Sequence, residues 1–212
     1  MVWNGIFPVL YPILDASFLV DVPERDDFLR RLVQELADAG AGILQYRNKT
    51  GGESEILADA RAMREAEKML LILNDWPELA VEAGFDGVHV GQTDMSPAEA
   101  RRIVGAERIV GVSTHNETQL RAADKEPVDY VAIGPVFATA TKENPDPVVG
   151  LDGVRMARAI TKKPLIAIGG ITAANAAGVL RAGADSVAVI SAIFMPGGDA
   201  VKLAGEFLDA VG

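Results

Sequence analysis

Short apolar runs, many β-branched, alternate along the chain with longer stretches whose apolar positions recur every three or four residues. Phe7 to Leu14 predicts a first strand. Glu24 to Ala39 then places Phe28, Leu32, Leu36 and Ala39 on one helical face. Gly40 stops that helix, because glycine takes the left-handed cap conformation at little cost. Gly42 to Tyr46 predicts a second strand and Glu53 to Glu67 a helix; Met69 to Leu73 and Pro77 to Ala83 form the next pair. Gly87 to Val90 follows, then a helix to Val104 with Ser96 as N-cap, Pro97 in its first turn and Glu99 completing a capping box. Arg108 to Val112 and a helix from Asn116, then Val128 to Ile133 and Leu151 to Ile160, continue the alternation. Pro164 to Ile168 with a helix opening at Thr172 or Ala173, and Asp185 to Ile190 with a helix over Asp199 to Ala210, complete it.

The strands read as nearly continuous apolar runs, as parallel strands buried on both faces do. Eight strand–helix units without a linker or low-complexity segment predict an α/β fold, a (β/α)8 TIM barrel forming a single domain over residues 1–212. An open doubly wound sheet is the runner-up. The connection from Gly134 to Gly150 is long for this fold, and its part from Ala138 onward is expected to act as a lid.

Composition narrows the chemistry. The chain has 212 residues, 49% of them hydrophobic, and no cysteine, which removes disulfides, thiolate metal sites and a cysteine nucleophile. A formal charge of −10 gives no general attraction to nucleic acid or an anionic membrane. Met1 to Leu14 lacks the basic start of a signal peptide and is broken by Pro8 and Pro12, so a cytoplasmic location is expected.

Barrel active sites lie where the strands end. Those positions hold three cations, Arg47, Lys49 and Lys142, and two carboxylates, Asp75 and Asp94. Converging cations suit phosphate or pyrophosphate. Two carboxylates without a His or Cys cluster suit Mg²⁺, which prefers oxygen ligands and substrate phosphates. Gly169-Gly170 and the loop after the eighth strand stand where barrels often bind a second phosphate. The plainer alternatives are an Arg47–Asp75 ion pair, a hydrogen-bonding role alone for Asp15, and an inward-facing core position for His89. His115 is read as a loop or cap residue, and Trp76 as a stacking residue or a cover for the barrel mouth.

Several segments, in this order and spacing, resemble the thiamine-phosphate synthase family over nearly the whole chain. They are Gln45-Tyr46-Arg47-Asn48-Lys49, Asn74-Asp75, Gly87-Val88-His89-Val90-Gly91-Gln92-Thr93-Asp94 and Gly111-Val112-Ser113. Asp129 to Phe137, Thr139-Ala140-Thr141-Lys142 and Ala167 to Thr172 extend the match. The resemblance implies a Mg²⁺-assisted transferase that joins 4-amino-2-methyl-5-hydroxymethylpyrimidine diphosphate to a thiazole phosphate. Gln45, Tyr46, Arg47, Asn48, Lys49, Asn74, Ser113 and Lys142 would contact the pyrimidine diphosphate, with Arg47, Ser113 and Lys142 in catalytic roles. Asp75 and Asp94 would hold the metal. Thr139, Ala140, Thr141, Gly170, Ile190 and Ser191 would hold the thiazole phosphate. Small-molecule substrates are the only partners implied, and self-association is left open. The family commonly has Leu at the position of Tyr46 and Arg at that of Trp76. A related tautomerase branch, the main alternative beside a non-catalytic phosphate-binding barrel, has His where Pro135 stands here.

Overall fold

The structure is a computed structural model that describes residues 7–66, 69–139, 146–195 and 197–212. Its strands are β1 (Leu10–Asp15), β2 (Ile43–Arg47), β3 (Leu70–Asn74), β4 (Gly87–Val90), β5 (Ile109–Thr114), β6 (Tyr130–Ile133), β7 (Leu165–Ile168) and β8 (Ser186–Val189). The helices that follow them are α1 (Arg25–Asp38), α2 (Glu53–Arg64), α3 (Pro77–Glu82), α4 (Pro97–Val104), α5 (Glu117–Ala123), α6 (Gly150–Ile160), α7 (Ala173–Arg181) and α8 (Ala200–Val211). All neighbouring strands are parallel, and β8 pairs with β1 to close the barrel. Closure rules out the doubly wound sheet. Among the described residues no helix is long and apolar enough to cross a membrane.

Most elements fall where the pattern predicts, with three differences. Several strands continue past their last apolar residue: β1 reaches Asp15, β3 reaches Asn74 and β5 reaches Thr114. The ladder of backbone bonds does not depend on side-chain polarity, and Asp15 pairs in register with Arg47, Asn74 with His89 and Ser113 with Ala132. A short 3-10 turn over Ala16–Leu19, absent from the prediction, is capped by Asp15. At α4 Ser96 accepts a bond from the Glu99 N–H at 3.3 Å, but Glu99 takes the Ser96 hydroxyl at 2.6 Å rather than the cap's backbone N–H. Asn116 caps α5, and Asp199 caps α8.

The strands separate two cores. Outward residues such as Leu44, Leu71, Val88, Val110 and Val187 meet the helices. Inward residues, among them Tyr11, Ile43, Ile72, Ile109, Tyr130, Ile166 and Ala188, fill the barrel. At the barrel's base a device recurs every second unit. Asp86, Asp129 and Asp185 precede β4, β6 and β8. Each accepts the backbone N–H of Leu71, Val110 or Leu165 on the preceding strand at 2.7–2.9 Å. Arg64, Arg101 and Arg158 bond these carboxylates from the helices outside. Gly42, at the corresponding position before β2, has no carboxylate to play this part.

Candidate active site

Side chains alternate along a strand, so one set of positions points inward at the C-terminal rim. That set puts Asp15, Arg47, Asn74 and Ser113 at the ends of β1, β2, β3 and β5. Gln45 lies one layer below Arg47, level with Ile13 and Ile72.

The plainer alternative of an Arg47–Asp75 ion pair is not what the structure shows. Arg47 bonds Asp15, not Asp75. Burial pushes the Asp15 carboxyl up, but the bonds from Ser17 and the Arg47 guanidinium outweigh it and hold the group below the ordinary carboxylate range. A depressed acid contributes stability above its unfolded value and loses it as the pH falls through the folded one. Asp15→Asn is therefore expected to be less stable than the parent at neutral pH. Denaturant titrations should show the gap narrowing as the pH falls toward and below 3.8. A gap independent of pH would show that the ionised carboxylate contributes nothing.

Lys49 is bonded to Asp75, and its Nζ lies 3.9 Å from Asp94. Asp75 follows β3 in a left-handed conformation, with φ at 69°, which Asp tolerates better than most residues. Its N–H is tied to the His89 carbonyl at 2.8 Å. Asp94 folds back so that one oxygen accepts the Gly91 N–H at 2.9 Å. Burial raises the Asp75 carboxyl to about 6, and the neighbouring Asp94 adds to this while Lys49 opposes it.

Asp15, Asp75 and Asp94 facing Arg47 and Lys49 leave these five side chains together one charge negative. The donor set fits Mg²⁺: two oxygen ligands from neighbouring loops, already short of positive charge, with the remaining positions left to substrate phosphate and water. Among the described residues no three His, Cys, Asp or Glu side chains converge on one point. A cleft of about 790 Å³ opens here, lined by Lys49, Asp75, Asp94 and Trp76 with the acidic Glu53 and Glu78. Trp76 lines that cleft and is partly exposed there.

Two expected contacts lie elsewhere. The side chain of Tyr46 points outward, fully buried among the helices, and its hydroxyl bonds Asp59. Asp59 is gripped by Arg25 through Nε at 2.8 Å and a second nitrogen at 2.5 Å. Strand alternation explains this: Gln45 and Arg47 face inward, so Tyr46 cannot. Asn48 is likewise buried, accepting the N–H groups of Thr50 and Gly51 and donating to Tyr46, so its side chain folds the loop. Ala140, Thr141 and Lys142 lie outside the described residues, as does part of the expected lid.

On the opposite side of the rim, Gly169 and Gly170 have φ of 102° and 63°. A Cβ at Gly170 would lie 2.5 Å from the Ala138 carbonyl, so this turn packs directly on the segment leading to Thr139. Phe137 N–H bonds the Gly169 carbonyl at 2.9 Å. Ile190 follows β8 and packs against the inner core, with the exposed Ser191 after it. Thr139, Gly170, Ile190 and Ser191 thus belong to three loops of one sector. Asn175 of α7 accepts the Thr172 N–H and donates to the Gly170 carbonyl, fixing the turn.

His89 is the buried inward histidine expected, but it also reaches the site. Nδ1 lies 2.8 Å from the Tyr130 hydroxyl and Nε2 lies 2.8 Å from Ser113 Oγ. Burial pushes its pKa down to about 4, with Asp94 pulling the other way. Behind it the Tyr130 and Tyr11 hydroxyls are 3.0 Å apart, and Gln45 donates to Tyr11 at 3.1 Å. The roles of Tyr11 and Tyr130 were absent from the sequence-based expectations, although the period-two pattern of β1, β2 and β4–β6 could have placed these residues together. His115 braces the next loop, its Nδ1 lying 2.7 Å from the Gly134 carbonyl and its Nε2 3.5 Å from Asp146.

Comparison with known proteins shows the family of the chain. The sequence model of the family described as thiamine monophosphate synthase matches residues 10–193. A thiamine-phosphate synthase from Koribacter versatilis is 52% identical over 203 residues, covering 95% of this chain and 94% of its own length. One from Agrobacterium fabrum is 43% identical, covering 87% and 86%. The solved thiamine phosphate pyrophosphorylase from Pyrococcus furiosus superposes with a TM-score of 0.82 at 31% identity, covering 98% of this chain and 96% of its own. The chain belongs to the thiamine monophosphate synthase family.

Proposed function

We propose that the barrel rim joins 4-amino-2-methyl-5-hydroxymethylpyrimidine diphosphate to a thiazole phosphate, giving thiamine phosphate and pyrophosphate, with Mg²⁺ held by Asp75 and Asp94. The observation that carries the site assignment is the Lys49–Asp75–Asp94 cluster beside Arg47 and Ser113. Its negative balance repels a diphosphate until a dication reverses the sign.

In the reaction the bond from the pyrimidine methylene to the diphosphate oxygen breaks, and both electrons leave with pyrophosphate. The amino-substituted ring stabilises the cationic carbon. The thiazole nitrogen then donates its lone pair to form the new C–N bond. That nitrogen carries no proton, so no general base and no covalent nucleophile are needed. Mg²⁺, when bound, supplies Lewis-acid neutralisation of the diphosphate. Arg47, Lys49 and Lys142 share the charge of the leaving group, and Ser113 donates a hydrogen bond to it. Gln45 and Asn74 line the pyrimidine side. Thr139, Ala140, Thr141, Gly170, Ile190 and Ser191 hold the thiazole phosphate, so that the ring nitrogen faces the reacting carbon. Tyr46 and Asn48 act indirectly, by fixing the strand and loop that carry Arg47 and Lys49.

We also infer that residues 1–212 work as one barrel domain in the cytoplasm, without nucleic acid or membrane as partner. The test is a coupling assay with both substrates and Mg²⁺, following thiamine phosphate and pyrophosphate together. Equal amounts of both products, lost on chelation, are expected. Binding of thiazole phosphate with no metal-dependent turnover would favour a non-catalytic barrel, and isomerisation of a thiazole alone would favour a tautomerase.

A further inference from the structure

The inside of the barrel holds an unbroken row of polar groups among apolar side chains. From β2 to β5 it runs Gln45, Tyr11, Tyr130, His89, Ser113, each 2.8–3.1 Å from the next. Four of the five side chains are buried, and Ser113 alone reaches the rim half-exposed. The geometry of β5 makes the row possible. Gly111 stands in register between His89 on β4 and Tyr130 on β6, and the two rings stack over it with centroids 5.5 Å apart. A Cβ at Gly111 would lie 2.0 Å from Cζ of Tyr130.

With the Gln45 amide nitrogen turned to Tyr11, counting donors gives the row a single direction. The Gln45 amide nitrogen can only donate, so Tyr11 accepts from it and must turn its own proton to Tyr130. Tyr130, accepting there, has one proton left and one partner left, Nδ1 of His89. Nδ1 is therefore an acceptor, and the imidazole carries its single proton on Nε2. That proton goes to Ser113 Oγ, which is then free to donate only outward, toward the mouth.

We propose that Gln45, Tyr11, Tyr130 and His89 form a polarity-setting relay that makes Ser113 a hydrogen-bond donor to the departing diphosphate and prevents His89 from acting as its base. His89 and Tyr130 are positioning residues, and Ser113 is the member of the row that meets the diphosphate. The contact His89 Nε2–Ser113 Oγ has the length of a nucleophile–base pair, but its proton runs in the opposite direction. A Ser–His dyad would need Nε2 unprotonated. The proposal rests on Ser113 serving the diphosphate.

The test has two arms. Nitrogen-15 histidine spectra of the free wild-type protein at neutral pH report the tautomer directly. With two histidines in the chain, a His115→Gln variant assigns them. The expected result is a single neutral His89 tautomer protonated at Nε2; protonation at Nδ1 overturns the relay. In the second arm, calorimetry measures magnesium pyrophosphate and thiazole phosphate binding to Tyr130→Phe, Ser113→Ala and the double variant. Tyr130→Phe should weaken pyrophosphate about tenfold, leave thiazole phosphate unchanged, and add nothing further to Ser113→Ala. A folded Tyr130→Phe that binds pyrophosphate as the parent does, or a fully additive double variant, overturns it. If Tyr130→Phe does not fold, the wild-type spectrum decides. Because that spectrum needs no turnover, a wrong tautomer in an active synthase defeats the relay alone. The right tautomer in a protein that makes no thiamine phosphate defeats the functional reading alone.

Discussion

Asp75→Asn and Asp94→Asn are each expected to lower turnover by two orders of magnitude or more, about 3 kcal/mol of transition-state stabilisation, without lowering the stability of the free protein. The two halves of this expectation have one cause. The carboxylates crowd one lysine, and burial with mutual repulsion holds Asp75 up at about 6. An acid raised on folding favours the fold while protonated; that contribution is present below the unfolded value of 3.8 and lost as the pH rises through about 6. At neutral pH the ionised carboxylate is therefore a burden to the apo fold, which the neutral amide removes. Asparagine also tolerates the left-handed backbone at position 75, so local geometry is kept. Steady-state rates across a Mg²⁺ series, with thermal melts in the absence of metal, check both halves. Normal turnover at low Mg²⁺ in both variants would remove the metal assignment. A large loss of melting temperature would recast the carboxylates as structural.

What could be read from the sequence follows the physics of each feature. Strand and helix order was legible because burial on both faces makes parallel strands continuous apolar runs. The ends of β1, β3 and β5 were not, since the backbone ladder carries polar Asp15, Asn74 and Ser113 as readily as apolar residues. At the site, Arg47, Asp75 and Asp94 were legible as strand-end charges, but their pairing was not. Arg47 meets Asp15 because the two are register partners on adjacent strands, a relation invisible without the pairing. Resemblance placed Tyr46 in the site, whereas alternation with Gln45 and Arg47 predicts the outward position it takes. The recurring Asp86, Asp129 and Asp185 at the barrel's base were available as a repeat, with Ala-Gly-x-Asp at two of the three. Their meaning needed the fold, because each carboxylate bonds the preceding strand rather than its own.

The smallest substitution with a large structural effect is expected at Gly111. Adding one methyl there should cost about 3 kcal/mol, a drop in melting temperature of about 6–12 °C. The strand is held on both sides, by β4 and β6, so the backbone cannot withdraw. The new Cβ would sit 2.0–2.4 Å from three ring atoms of Tyr130, too close for small adjustments. The ring must leave its place, and with it go the contacts of its hydroxyl with Tyr11 and His89 inside an apolar core. Gly205→Ala is the matched control. It lies within α8, where an added Cβ meets nothing within 4 Å, and should stabilise by about 0.5–1 kcal/mol through helix propensity. Tyr130→Leu in the Gly111→Ala background removes the ring atoms that collide, so stability should partly return. Pyrophosphate affinity should not, because leucine has no hydroxyl to hold His89. Calorimetric melts and pyrophosphate titrations on the four proteins separate packing from hydrogen bonding. A Gly111→Ala protein melting with the parent would mean that Tyr130 has room to move and that the row through the barrel is not rigidly held.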